Sequence, residues 1–388
     1  NYTAANISML SVLTAGGGDS VTVVNGTSTP VTIDGGGSQN DRVTMQGDAT
    51  GANLYAVQPG ASVVMNATTA DITGVESLVL DSNGQSGSVL VTADGGSNQL
   101  SYTGTGADSA NLSIDGVLAA SLRGFAASSS VTLDAGAGDD GLTLAPGSAT
   151  NLSTLIVAAA TGTDGVSVVG DSGADVFDYT PSATVDADGT IVLDGVTVSY
   201  SGAESLSLSG LGGSDSLTVF ESVAGTNDSI TYQPAVNDGG ELQLNGSSPV
   251  EFSSIESRTI NSGTGTDVVQ VTATGFNDTI VVAGSAGSNT VSVAGESLLL
   301  THDTGALDQL VVLAGHGDDL VTVTPTSGLN VSVDAGSDSD TVTVNGTAAV
   351  EGITVELSSG TVQGLGGTVT LTGVESLTVD GNGGVDGV

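Results

Sequence analysis

Short runs of alternating apolar and polar residues fill most of the chain. Val321-Thr322-Val323, Val331-Ser332-Val333 and Thr341-Val342-Thr343-Val344 are examples, and each is rich in β-branched residues. Alternation with period two predicts β-strands with one buried face. Gly-, Asp- and Ser-rich clusters such as Leu211-Gly212-Gly213-Ser214-Asp215 separate the runs and predict tight turns. Because this punctuation rarely leaves about ten uninterrupted residues for a helical stripe, the pattern predicts an all-β protein.

An internal repeat organises these strands. Two acidic residues eleven positions apart mark each copy, at Glu204 and Asp215, Glu256 and Asp267, Asp308 and Asp319, and Glu375 and Asp386. The first three copies start 52 residues apart. Repeats of short strands and Gly-rich turns are typical of solenoids, in which stacked coils bury a continuous aliphatic column. We therefore expect residues 1–388 to form one continuous, elongated parallel β-solenoid (β-helix), with two coils in each repeat of about 52 residues.

A row of β-sandwich domains is the alternative fold. It would also show short alternating strands separated by turns. Sandwich domains need about 100 residues each, and their cores are commonly anchored by a buried aromatic residue. The chain has no Trp and only five Phe, and its aliphatic residues are spread evenly, so the solenoid is favoured.

The large excess of acidic residues excludes several classes of binding partner. Three Lys and Arg residues stand against 43 Asp and Glu, which gives a formal net charge of −40. Binding to nucleic acids and to anionic membranes depends mainly on Lys and Arg, so nucleic acids are excluded as partners and anionic membrane surfaces are disfavoured. No run approaches the roughly 20 apolar residues of a membrane-spanning helix, so we expect no membrane insertion. The absence of Cys excludes disulfides and thiolate metal sites.

The two ends of the sequence read as one motif when they are joined. Written in that order, they give Asp-Gly-Val-Asn-Tyr-Thr, which resembles Asp-Val-Phe-Asp-Tyr-Thr at residues 175–180. This predicts head-to-tail self-association, either of stacked subunits or of tandem copies in one longer chain. A contact of this kind need not close into a ring and would grow as a filament. The residues expected at the junction are Asn1, Tyr2, Thr3, Asp386, Gly387 and Val388.

Carboxylates in Gly-rich turns point to calcium. Ca²⁺ prefers six to eight oxygen ligands in flexible loops, and acidic turns that stack on each other repel unless cations relieve them. The alternative is that Asp only stabilises its own turn. Three pairs of residues spaced six apart are the local candidates, together with three motif acids: Asp134 with Asp140, Asp334 with Asp340, Asp380 with Asp386, and Asp215, Asp267 and Asp319.

Nothing in the sequence predicts an active site. An active site needs a unique constellation, whereas these acids recur in one slot of each repeat, Lys is absent, and His302 and His316 have no matched partner. We therefore expect a protein that is not an enzyme. Two alternatives stay open: a β-helix enzyme that acts on polysaccharide, and a surface that binds ice or glycans through ranks of Thr such as Thr341 and Thr343.

Two families resemble this sequence. The turns at residues 135–142 and 314–321 resemble the Gly/Asp-rich nonapeptide of calcium-binding RTX β-rolls, although here twenty or more residues separate successive turns. More broadly, the segment Gly373-Val374-Glu375-Ser376-Leu377-Thr378-Val379 resembles the repeats of large bacterial surface and extracellular-matrix proteins. That resemblance implies an extracellular structural or adhesive role. The sequence therefore predicts a calcium-stabilised repeat of a filament, surface layer or adhesin.

Overall fold

The computed structural model describes residues 8–14, 16–25, 29–37, 39–58, 62–184, 187–236, 238–302, 308–347 and 351–383. These residues form 37 β-strands and no helix, so the predicted all-β class is confirmed. Within this part of the chain there is accordingly no helix that could cross a lipid bilayer. The strands belong to two compact units, which are described separately.

Unit 1 comprises Asn1–Asp171 and Ala187–Ser207. Its strands are β1 (Leu10–Leu13), β2 (Ser20–Val24), β3 (Val31–Asp34), β4 (Arg42–Gln46), β5 (Asn53–Gln58), β6 (Ser62–Met65), β7 (Thr68–Thr73), β8 (Ser77–Gln85), β9 (Gly87–Thr92), β10 (Gln99–Gly106), β11 (Ser109–Ile114), β12 (Val117–Phe125), β13 (Ser130–Asp134), β14 (Gly141–Ala145), β15 (Thr154–Ala158), β16 (Gly165–Val169), β18 (Gly189–Leu193), β19 (Val196–Ser201) and the first part of β20 (Ser205–Ser209).

Unit 2 comprises Ser172–Asp186 and Leu208–Val388. Its strands, after the last residues of β20, are β17 (Val176–Pro181), β21 (Ser216–Phe220), β22 (Ser229–Ala235), β23 (Gly239–Leu244), β24 (Val250–Ser253), β25 (Ser257–Gly263), β26 (Val268–Thr272), β27 (Thr279–Ser285), β28 (Ser288–Val293), β29 (Glu296–His302), β30 (Asp308–Leu313), β31 (Leu320–Val323), β32 (Leu329–Asp334), β33 (Thr341–Asn345), β34 (Thr354–Glu356), β35 (Thr361–Gln363), β36 (Val369–Thr372) and β37 (Ser376–Asp380).

Consecutive single strands lie in two different parallel ladders. In unit 2, β30 pairs with β32 in one ladder while β31 pairs with β33 in the other, and both pairings are parallel. Unit 1 repeats the arrangement with β13 and β15 in one ladder and β14 and β16 in the other. The chain therefore winds in coils, each with one strand in each ladder. This confirms the parallel β-solenoid.

Aliphatic residues from both ladders fill the space between them. In β33, Val342 and Val344 are buried, whereas the intervening Thr residues face outward. Val321 and Val323 occupy the same positions on the neighbouring strand β31. Burying one Val stabilises a fold by roughly 1.5–3 kcal/mol, so columns of such residues supply most of the driving force. The alternation seen in the sequence is thus the in-and-out pattern of each coil.

Antiparallel meanders interrupt the coils. Strand β28 pairs antiparallel with both β27 and β29, while β27 pairs parallel with β31 and β29 with β25. The same three-strand arrangement occurs at β5–β7 and β10–β12 in unit 1 and at β22–β24 and β34–β36 in unit 2. Within each unit, successive meanders belong to alternate ladders.

The repeat contains more strands than the sequence predicted, because each of these meanders adds to the two predicted coils. The copy that begins at Glu256 contains β25, β26 and the meander β27–β29, which is five strands rather than the four of two simple coils. Because five is odd, the next copy begins in the opposite ladder. The extra strands escaped detection because an antiparallel strand alternates with the same period as a parallel one.

Tight turns join the second and third strands of the meanders. Asp115 and Gly116 have φ angles of 52° and 75°, and Asn245 and Gly246 have 52° and 74°. Positive φ at both central residues is the geometry of the hairpin turns that Asp-Gly and Asn-Gly favour. The Asp115 and Asn245 side chains each also accept a hydrogen bond from the backbone at the start of the meander's first strand, both at 2.8 Å. These two turns therefore fix the start of the meanders β10–β12 and β22–β24.

Candidate functional site

The predicted site residues lie at the turns between the two ladders. Asp278, Asp319, Asp340 and Glu375 each stand immediately before a strand. The N–H of Asp278 donates to Oδ1 of Asp319 at 2.7 Å, and the N–H of Asp319 donates to Oδ1 of Asp340 at 2.8 Å. The N–H of Asp340 then donates to Oε2 of Glu375 at 2.8 Å. Carboxylate oxygens thus join successive coils in a series of hydrogen bonds. From here on, ladder means this series of hydrogen bonds and not a set of paired strands.

The same ladder recurs in both units. Its other members follow the same rule, in which the backbone N–H of one turn residue donates to the carboxylate of the next coil. In unit 1 they are Asp19 to Asp41 to Glu76, and Asn98 to Asp140 to Asp164 to Glu204; in unit 2 they are Asp175 to Asp215 to Glu256, and Asp228 to Asp267 to Asp308.

Each ladder residue also uses its carbonyl group. While the N–H of Asp340 donates to Glu375, the carbonyl oxygen of Asp340 accepts the N–H of Ser376 at 3.0 Å. Asp319 does the same with Thr341, at 2.9 Å. Both backbone groups at the turn are therefore satisfied by the following coil. The N–H of each turn residue lies just before its strand, so pairing between parallel strands provides no acceptor for it. The carboxylate of the following coil is that acceptor.

Most of the Asp residues in this series are buried, whereas its Glu residues are exposed, and several of the buried carboxylates keep one oxygen without a partner. Asp215 is 0% exposed to solvent and Asp340 is 1% exposed. The second oxygen, Oδ2, makes no hydrogen bond in five of the ladder acids: Asp140, Asp164, Asp215, Asp319 and Asp340. A buried polar atom without a partner costs free energy, so these oxygens are the atoms on which a proton or a cation would act.

Burial shifts the titration of two ladder acids. Loss of hydration raises the pKa of Asp319, and the carboxylates of Asp340 and Asp278 raise it further, while the hydrogen bond from the N–H of Asp278 lowers it. The pKa of Asp164 rises for the same reasons, with burial first and neighbouring carboxylates after it. Asp319 and Asp164 therefore hold a proton more readily than an exposed carboxyl group does.

A second, exposed ladder runs beside the buried one. Asn277 Oδ1 accepts the N–H of Asp318 at 3.0 Å, and Asp318 Oδ1 accepts the N–H of Ser339 at 3.0 Å. In unit 1, Asp139 Oδ1 accepts the N–H of Thr163 at 2.9 Å. The acceptor and donor are reversed relative to the buried ladder, so each turn is bonded to its neighbour in both directions.

Turns that are distant in the sequence are brought into register. A parallel bridge joins Ala137 to Thr161, and another joins His316 to Ser337. The turns that resemble RTX nonapeptides therefore do lie against neighbouring turns. Among the described residues, however, no group of three or more His, Asp or Glu side chains is arranged to hold a metal ion.

Two of the six-apart pairs, Asp134 with Asp140 and Asp334 with Asp340, lie at the two ends of one turn each. Asp140 and Asp340 direct Oδ1 to the backbone of the adjacent coil. Asp134 and Asp334 are the last residues of β13 and β32, at the opposite end of the same turns. Asp380 accepts the N–H of Asn382 at 2.9 Å. Asp386, with Asn1, Tyr2, Thr3, Gly387 and Val388 of the predicted junction, lies outside the described residues.

The sequence did not predict one buried cluster in unit 2. His302, treated there as a lone imidazole, lies between Asp308 and Asn289, with only 8% of its surface exposed. His316, in contrast, lies on an exposed turn and bonds Ser337 at 2.7 Å. No local sequence signal marks this cluster, because Asn289 lies 13 residues from His302 and 37 residues from Thr326. Comparison of the whole sequence with profiles of known protein families and with curated proteins gives no match.

Proposed function

We propose that the chain is a structural segment of an extracellular surface or matrix protein, stabilised by calcium and able to associate end to end. One observation carries the structural role. Each motif acid among the described residues accepts a backbone N–H from a neighbouring coil: Glu204, Asp215, Glu256, Asp267, Asp308, Asp319 and Glu375. Acids committed to the same bond in every repeat serve the scaffold and not one catalytic centre.

Charge supports the calcium part of the proposal. The net charge of −40 is concentrated in stacked turns, and the chain offers only three cationic side chains to neutralise it. Calcium prefers carboxylate and carbonyl oxygens, which both occur at these turns. The unpartnered Oδ2 atoms of Asp319 and Asp340, one coil apart, are acceptors that a cation would satisfy.

The outermost strands support the end-to-end part. Among the described residues, β1 pairs only with β3 and β37 only with β33. Leu10 of β1 lies in register with Val31 of β3, yet Leu10 is 46% exposed and Val31 is 6% exposed. An uncovered inward-facing residue on an edge strand is a surface that another coil would cover.

Electron microscopy of the purified chain tests the proposal. We expect unbranched filaments in calcium chloride that shorten when EGTA replaces the calcium, with magnesium chloride of equal ionic strength as the control. Leu10→Asp should abolish the filaments, because it places a charge on the uncovered core position. Ser11→Asp, on the outward face of the same strand, should leave them intact. Isolated particles in every buffer would refute the association, and filaments indifferent to EGTA would refute the role of calcium.

A further inference from the structure

The repeat that contains the meander β27–β29 departs from most others at the turn that follows its meander. After β7 and β36 the chain passes through Gly74-Val75-Glu76 and Gly373-Val374-Glu375. After β29, which ends on His302, the corresponding acid is Asp308. In a repeat protein, a position that breaks the local pattern is where a site with its own function is expected.

A chain of polar contacts runs inward from this position. His302 Nδ1 lies 3.4 Å from Asp308 Oδ2, and His302 Nε2 lies 2.8 Å from Asn289 Nδ2. The hydroxyl of Thr326 donates to Asn289 Oδ1 at 2.9 Å. Asn289 is 1% exposed and Asp308 3% exposed, so the chain is sheltered from water until it reaches Thr326.

The directions of these hydrogen bonds determine whether the Thr326 hydroxyl can donate or accept a further hydrogen bond. An amide nitrogen can only donate, so His302 Nε2 accepts from Asn289 and the ring carries its proton on Nδ1, facing Asp308. The amide oxygen of Asn289 then accepts the Thr326 proton. Thr326 therefore presents only lone pairs outward. It is a hydrogen-bond acceptor for whatever lies in front of it.

Thr326 lines a cleft of about 450 Å³ in unit 2. Further lining residues are Ser285, Thr324, Ser327, Thr347 and Glu351. Both oxygens of Glu351 accept the N–H of Thr347, at 2.9 and 3.1 Å, which holds this carboxylate in place. Gly284 forms part of the wall, and a Cβ there would lie 3.0 Å from Asn289 Oδ1, so the polar chain comes close to the cleft surface.

This lining selects for one kind of ligand. Among the described residues, it contains hydroxyl groups, backbone, one carboxylate and the apolar side chains of Ala286, Pro325 and Leu365, and it contains no Lys, Arg, His or aromatic side chain. An anionic ligand would meet Glu351 and the negative field of the whole chain without a compensating cation. A flat aromatic ligand would find no ring to stack on. A ligand with many hydroxyl donors would be matched by Thr326, Glu351 and the other oxygens.

We propose that this cleft binds a saccharide, an uncharged ligand rich in hydroxyl groups. Thr326, held by Asn289 and His302, accepts a hydrogen bond from one sugar hydroxyl, and Glu351 accepts from another. This inference goes beyond the structural role proposed above and does not depend on calcium or on end-to-end association.

Saturation-transfer NMR on the unassembled chain tests it, with the methyl glycosides of glucose, galactose, mannose and N-acetylglucosamine as probes. We expect at least one of them to bind. Thr326→Val should weaken that binding about fivefold, which corresponds to one hydrogen bond of about 1 kcal/mol. Thr322→Val, on the outward face of β31, is the matched control and should bind as the wild type does.

A second variant leaves the buried chain intact. Ala286→Gln fills the cleft from the exposed turn between β27 and β28 and should abolish binding. Ala67→Gln, in the exposed turn between β6 and β7, should have no effect. The proposal is overturned if none of the four glycosides binds the wild type, or if both Thr326→Val and Ala286→Gln bind as tightly as the wild type.

Discussion

The backbone N–H of Asp175 donates to Oδ1 of Asp215, forty residues further along the chain, at 2.8 Å. Asp215 then donates its own N–H to Glu256 at 2.6 Å, so one residue is both acceptor and donor. Asp175 and Asp215 are 2% and 0% exposed. Water therefore cannot replace the bond between Asp175 and Asp215, and the acceptor on the next coil determines whether this buried N–H group is satisfied.

Asp319 should make the fold more stable in acid. Its folded pKa lies above the ordinary value of 3.8, so its stabilising contribution is complete below that value and is lost as the pH rises through the folded pKa. Asp319→Asn keeps the Oδ1 acceptor but cannot titrate. We expect the gain in unfolding free energy between pH 7 and pH 4 to be smaller in Asp319→Asn than in the wild type, as measured by urea denaturation.

Asp318→Asn is the control for this experiment. It removes the same formal charge from an exposed neighbour in the same turn. A pH dependence that falls equally in both variants would mean that general repulsion, and not the burial of Asp319, produces the effect.

Two buried tyrosines should respond oppositely to loss of the hydroxyl group. The hydroxyl of Tyr55 donates to the carbonyl oxygen of Asp81 at 2.7 Å, whereas the hydroxyl of Tyr102 is buried without a partner. Tyr55→Phe should lower the unfolding free energy by about 1 kcal/mol. Tyr102→Phe should leave it unchanged or raise it. Chemical denaturation of both variants measures this, and an equal loss in the two would show that the Tyr102 hydroxyl is bonded.

Two glycines of one turn should differ sharply in their tolerance of a methyl group. A Cβ at Gly210 would lie 2.2 Å from both Asp215 Oδ2 and the carbonyl oxygen of Ser254. A Cβ at Gly212 would meet no atom within 4 Å. We expect Gly210→Ala to destabilise by about 1–3 kcal/mol and Gly212→Ala to change stability by less than about 1 kcal/mol. Thermal unfolding that ranks the two in the opposite order would contradict this packing.

Two arginines in different surroundings provide a test of charge burial. Arg258 is 3% exposed and bonds Glu296 at 2.8 Å and Asp238 at 3.1 Å. Arg123, with a half-exposed side chain, bonds Asp81 at 2.7 Å. Arg258→Ala removes hydrogen bonds between a buried guanidinium and two partly exposed carboxylates and should cost about 1.5–3 kcal/mol, whereas Arg123→Ala should cost about 0–1 kcal/mol. Equal costs in urea unfolding would show that burial does not strengthen the Arg258 network.

The solenoid could be predicted from the sequence because its two signals are local. Alternation such as that of Val342 and Val344 defines the buried face of one strand, and acids eleven apart mark one strand and one turn. The meanders were missed because their strands alternate in the same way. Asp115-Gly116 and Asn245-Gly246 were a usable hairpin signal, since such pairs favour two-residue turns between antiparallel strands.

The site was harder to predict because its contacts are long-range. Asp134 and Asp140 are close in sequence, but the bond of Asp140 is to Asn98, 42 residues away. Spacing along the chain shows which residues share a turn, and it does not show which coil a side chain faces. The link from His302 to Thr326 depends on a meander that the sequence did not reveal.

The central claim is that the repeated acids hold successive coils together, and hydrogen exchange at the Asp175 amide tests it most directly. In the wild type and in Asp215→Asn, which keeps the Oδ1 acceptor, we predict strong protection of this amide. In Asp215→Ala the amide loses its partner, and its exchange should accelerate at least tenfold, equivalent to about 1.4 kcal/mol. Protection of the Asp175 amide in Asp215→Ala equal to that in the wild type would contradict the account.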